Sequence, residues 1–124
     1  MSGIERMAAD ACISGTPYAR TTVTDDEVLV IPAEMVGKFC WFQAVTSDVA
    51  VRFGDSSVSV AISARSSESS GVLSPEGSEP HLYIVAGTTV QWRIPSDVTH
   101  MAHVSEDTSG VFRFGLAQGE YPSN

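Results

Sequence analysis

His100, His103 and Glu106 lie together in "HMAHVSE" and are the best catalytic lead in the chain. Neutral imidazoles and a carboxylate are the donors that zinc and related ions take. Spacing decides whether they converge. A His-x-His pair on a strand puts both rings on one face, whereas the His-x-x-His spacing here sends them to opposite faces. A helix would bring i and i+3 together, but "MAHVS" leaves no room for one before its turn. Turn and surface histidines with ordinary partners are the reading, without a metal.

Nucleophilic chemistry has less support. Serines are abundant, but no Gly-x-Ser-x-Gly elbow occurs, and neither Cys12 nor Cys40 has a base beside it in sequence. Asp25-Asp26-Glu27 and Glu106-Asp107 fall in expected turns, where solvated charge explains them, and no glycine-rich phosphate loop is present. The expectation is a chain that is not an enzyme, with no catalytic residue, cofactor or metal. Trp41 and Trp92 remain as a stacking platform for sugars, although tryptophans inside apolar strands read first as core.

Composition narrows the partners. In 124 residues, seven basic against fifteen acidic side chains give a net charge of −8. Such a surface repels phosphate backbones, so nucleic acid is not expected as a partner. A 43% hydrophobic content suits one globular domain. No apolar run reaches the roughly 18 residues that span a bilayer, so no membrane is expected. The first residues lack the basic-then-apolar pattern of a secretory leader, which makes a reducing cytosol the expected place of synthesis. Two buried or idle thiols then fit Cys12 and Cys40.

From Thr21 the chain reads as short β-strands between turn residues. They are 27–31, 38–45, 49–53, 57–63, 81–85, 89–94, 101–105 and 110–114, each rich in Val, Ile, Thr and aromatics. Val49, Val51 and Phe53 should face one side, with Ala50 and Arg52 on the other; Phe112 and Phe114 should point inward and Arg113 outward. The expected fold is all-β, a two-layered sandwich or jelly roll of about eight strands. Residues 20–116 form its single domain, and 64–80 read as one long mobile connection in which "GVL" is a possible brief strand. Residues 117–124 read as a loose tail.

The order of elements repeats. Ile31-Pro32 opens and Arg52-Phe53-Gly54 closes one strand–turn–strand–turn–strand unit; Ile94-Pro95 and Arg113-Phe114-Gly115 do the same for a second. Two similar halves packed face to face are expected, either by true pseudo-symmetry or by a matched order alone. Residues 1–19 differ. Ser2 with Glu5 fits a capping box, and Ile4, Met7, Ala8 and Ala11 share a helical face. So short a helix is marginal alone. It must dock on its own body, dock on a neighbour, or fray.

The runs "VIPAEMVGKFCWFQAVTSDVAVRFGDSSVSV", "LSPEGSEPHLYIVAGTT" and "RIPSDVTHMAHVSEDTSGVFRFG" resemble small β-rich virion proteins of tailed bacteriophages. The similarity lies in the order of strands and Pro turns over roughly residues 28–115. It implies a head decoration (cement) protein bound to the outer capsid surface and located in the virion. Its implied partners are the major capsid protein or another virion protein, and further copies of itself, with a trimer favoured. Within that reading Ile4, Met7, Ala11, Tyr18 and Arg20 are the expected partner contacts. Two alternatives stand beside it: a carbohydrate-binding β-sandwich, which requires Trp41 or Trp92 to be exposed, and a cupin-like metalloprotein.

Overall fold

Alternating apolar residues make the chain a series of pleated strands, and pairing buries their apolar faces. The computed structural model describes residues 17–62, 67–69, 72–74 and 78–117. The strands are β1 Tyr18–Thr21, β2 Glu27–Val30, β3 Phe39–Val45, β4 Val49–Gly54, β5 Ser67–Ser69, β6 Val72–Ser74, β7 Leu82–Ile84, β8 Thr89–Arg93, β9 His100–Ser105 and β10 Val111–Leu116. Two antiparallel four-stranded sheets stack. The first has the order β1-β10-β3-β8 and the second β2-β9-β4-β7, while β5 and β6 form a separate hairpin.

Setting the hairpin aside, the first strand pairs with the last, β2 with β9, β3 with β8 and β4 with β7. A long antiparallel ribbon is thus wrapped so that its successive strand pairs alternate between sheets. That is a jelly roll. The inner faces supply one core, with Cys40, Phe42, Ala44, Phe112 and Phe114 from the first sheet and Val49, Val51, Phe53, Ile84 and Met101 from the second. Phe42 is its hub, with ring centroids 6.0 Å from Phe53, 6.3 Å from Phe112 and 6.4 Å from Phe114. Aromatic contacts of this kind add about 0.5–1.5 kcal/mol each beyond the area they bury.

The duplicated opening and closing have a structural counterpart. Exchanging β1–β4 with β7–β10 turns the order of the first sheet into that of the second read backwards. Both Ile-Pro openings behave alike: Ile31 and Ile94 are buried, and their N–H groups donate to Thr99 O and Lys38 O, each at 3.0 Å. Both Arg-Phe-Gly closings do too. Phe53 and Phe114 enter the core, and the glycine behind each leaves room for an outer-face side chain, Val58 over Gly54 and Trp41 over Gly115. The halves are interleaved rather than packed face to face, because each one contributes two strands to each sheet.

Three elements depart from expectation. Residues 57–63 alternate like a strand, yet 58–61 are irregular. The segment lies across the outside of the second sheet, where Val60 joins Ala50, Ala102 and Val104 in a small second core. Its amides bond to the Asp26 carboxylate and to Ser78 O instead of to a ladder. The strand β1 was not foreseen, since "YART" is exposed at every position and is ordered by its pairing with β10. It also starts inside the expected arm of residues 1–19. Within 64–80 the β5–β6 hairpin occupies part of the expected connection, and Val72 and Leu73 of "GVL" fall on β6. The helix-prone residues 2–16 and the tail 118–124 lie outside the described residues.

One close approach fixes the turn between β9 and β10. Gly110 exchanges hydrogen bonds with Thr22, and a Cβ there would sit 2.6 Å from Val45 O and 2.7 Å from Ser47 Oγ. Neither neighbour is free to retreat, the first being strand backbone. Gly110→Ala is therefore expected to destabilise the fold by about 2–3 kcal/mol, read as a lowered midpoint in urea denaturation. An unchanged midpoint would contradict this packing.

Candidate functional site

Pairing register sorts the first sheet's side chains by face. Phe39 with Arg93, Trp41 with Gly115 and Gln91, and Gln43 with Arg113 and Thr89 share the outer face. The four strands of this sheet contain three arginines and no carboxylate. In a chain of charge −8 that segregation is a real asymmetry. Arg20 is neutralised, because its guanidinium pairs with both Glu27 oxygens. Arg93 and Arg113 have no carboxylate partner among the described residues.

The outer face is ordered nonetheless. Arg93 lies 4.4 Å above the Phe39 ring and donates from Nη1 to Gly37 O at 2.8 Å. Arg113 Nη1 donates to Gln43 Oε1 at 3.3 Å, and Gln43 Nε2 donates to Thr89 Oγ1 at 3.1 Å, a polar row across three strands. Phe39 is 50% exposed, whereas Trp41 is buried over Gly115 with its indole N–H unpartnered. Exposed aromatic and arginine side chains without lysine or carboxylate are what the centre of a protein–protein interface uses.

The opposite charge gathers at one end of the jelly roll, where the turns β1–β2, β3–β4, β7–β8 and β9–β10 meet. Hydrogen bonds tie them together: Ser105 N–H to Val23 O, Ala86 N–H to Asp48 Oδ1, and Ser47 Oγ to Asp107 Oδ1. These turns carry Asp25, Asp26, Asp48, Glu106 and Asp107 and no lysine or arginine. Asp48 also accepts from Tyr83 Oη, and Asp107 from Ser109. The bonds from Ser47 and Ser109 hold Asp107 below the usual aspartate range. Asp25 and Glu106 are exposed and make no hydrogen bond or ion pair among the described residues.

The histidines separate as the spacing requires, but not to the surface in both cases. His100 is half-buried with Nδ1 2.7 Å from Thr99 Oγ1, and Glu106 points out of a turn. His103 is fully buried, with its ring 5.0 Å from Phe112. The reading of both as turn and surface histidines is thus corrected for His103. It sits on the inner face because Met101, His103 and Ser105 alternate inward while Ala102 and Val104 meet the covering segment 58–62. Its Nε2 lies 2.7 Å from Glu27 Oε1. A carboxylate only accepts, so the proton is on Nε2 and the unpartnered Nδ1 is a bare lone pair.

Of the other expected residues, Tyr18 stacks on Phe114 at 5.5 Å and donates to Glu34 at 2.7 Å, and Arg20 is held by Glu27. Both are exposed, but both are engaged within the chain. Ile4, Met7 and Ala11 lie outside the described residues, as does Cys12. Cys40 is buried, and burial pushes its thiol up to about 12. Trp92 is 38% exposed on the edge strand β8. Among the described residues no group of three His, Cys, Asp or Glu side chains is placed to hold a metal, and no helix is long and apolar enough to cross a membrane. Comparison with family models, curated proteins and solved structures returns no match.

The buried pair has a pH consequence. Burial lowers the His103 pKa against the raising effect of Glu27. Arg20 first, and His103 after it, hold Glu27 below the usual glutamate range, against partial burial. For both groups the unfolded chain takes up protons at higher pH than the fold does, so stability falls on acidification. The histidine part is lost as pH drops below about 6.5 toward the lowered folded value, and the glutamate part at more acidic pH. Thermal melts of wild type should show both losses. His103→Leu should remove the first and keep the second; an unchanged pH profile in that variant would contradict the assignment.

Proposed function

We propose that this chain is a non-enzymatic structural subunit of a phage particle, a head decoration protein bound to the outer capsid surface and working as a homo-oligomer, with a trimer favoured. The observation that carries the reading is the arginine-bearing, carboxylate-free outer face of the first sheet among the described residues. A rigid jelly roll presents exposed Phe39 and Arg93 and half-buried Arg113 there, with no carboxylate among the described residues of that face, on an otherwise acidic body. Interfaces are built from such surfaces, and catalysis instead needs converging titratable groups. The resemblance in strand order to small phage virion proteins supplies the particle, and an acidic outer surface keeps decorated particles from adhering to one another.

In this reading the apolar side chains Ile4, Met7 and Ala11 contact a neighbouring capsid subunit, supported by the marginal stability of so short a helix alone. Deleting residues 2–16 is expected to abolish occupancy of particles in a pull-down while leaving the thermal transition in place. Full occupancy by the shortened protein would refute the assignment. A second reading, a carbohydrate-binding sandwich, is favoured by the exposure of Trp92. It requires a shift of tryptophan fluorescence on adding glycans; the decoration reading expects none.

A further inference from the structure

We infer that the outer face of the first sheet is filled by the acidic end of a second copy of this chain. The juxtaposition that carries it is, among the described residues, an arginine face without carboxylates and an end cluster without cations on one molecule, with Arg93 at the opposite end of the sheet from that cluster. Phe39 and Arg93 mark one end of β3 and β8, and the acidic turn at Thr46–Asp48 follows the other end of β3. Seven extended residues separate them by about 20 Å or more. Arg93 therefore cannot be neutralised by those carboxylates within its own chain, and it has no other carboxylate partner among the described residues.

Between copies the same arrangement is complementary. Asp25 and Glu106 are exposed in turns at one end of the sandwich and make no hydrogen bond or ion pair among the described residues. Arg93 and Arg113 are the cations they would meet, with the half-exposed Phe39 ring giving the contact an apolar centre. Arginine planes held by one backbone or amide bond each still present free N–H groups to a carboxylate. The contact is heterologous, because an end of one copy meets a face of the next. Such contacts either close into rings or grow into open chains, and closure is what a cyclic oligomer requires. This rests on the homo-oligomer part of the proposed function and names the two surfaces that meet within it.

The test uses the full-length protein free of any particle, so loss of particle binding with intact self-association would fault only the decoration reading. Sedimentation velocity across a concentration series at low and high salt should show wild-type association weakened by salt. R93E/R113E and D25K/E106K should each weaken it by about tenfold or more, an effect of about 1.4 kcal/mol. Because both variants reverse charge, mixing them should restore a complex that neither forms alone. Melting curves confirm that each variant is folded. A wild type that stays monomeric up to its solubility limit would overturn the inference. So would association unaffected by R93E/R113E, or mixed variants that do not bind.

Discussion

The space between the two sheets is set by phenylalanine. Phe42 reaches across from β3 to Phe53 on β4, and Phe112 and Phe114 stand beside it on β10 with ring centroids 4.9 Å apart. Four rings from three strands and both sheets form one packed cluster, so the register of β3, β4 and β10 is fixed together. Slipping any of these strands by one residue would expose its rings and bury Arg52, Arg113 or Gln43 instead. The positions of Arg113 and Gln43 on the outer face of the first sheet, and hence the whole candidate interface, follow from this inner constraint.

The same cluster accommodates one polar ring. His103 replaces what would be a further apolar side chain against Phe112, and it is tolerated because its single N–H has a charged acceptor in Glu27. Glu27 belongs to β2 and is itself clamped by Arg20 of β1, so the ion pair closes the open edge of the sandwich where the two sheets begin. A neutral imidazole satisfied at one nitrogen costs far less than an unpaired buried charge. Acidity at that edge is thus coupled to the packing of the interior.

The strands were legible where one face meets the core and the other meets water, as in Val49 to Phe53 and Phe112 to Phe114. Alternation fails where both faces are covered. Trp41 is buried on the outside of the first sheet over Gly115, and Ala102 and Val104 are buried outside the second, so β3 and β9 read as nearly continuous apolar runs. For that reason the spacing of His100 and His103 told that they part, but not which of them enters the core. Residues 57–63 carried a strand's pattern without a strand's partner. The doubled Ile-Pro and Arg-Phe-Gly were read correctly as a repeat of order, whereas interleaving of the halves is a property of pairing that no local pattern encodes. The candidate face was not legible at all: Arg93 and Arg113 are distant in sequence and become neighbours of Phe39 and Gln43 only through the strand order of the first sheet.

The account stands on that face being covered when the protein is at work. Hydroxyl-radical footprinting, comparing dilute protein with protein concentrated enough to assemble, measures this side chain by side chain. Phe39 should lose most of its reactivity on assembly, while the exposed His81, beside the second sheet at the end away from the acidic turns, keeps its own. Equal labelling of Phe39 in both states, with protection appearing on the second sheet instead, would place the contact elsewhere and contradict the account.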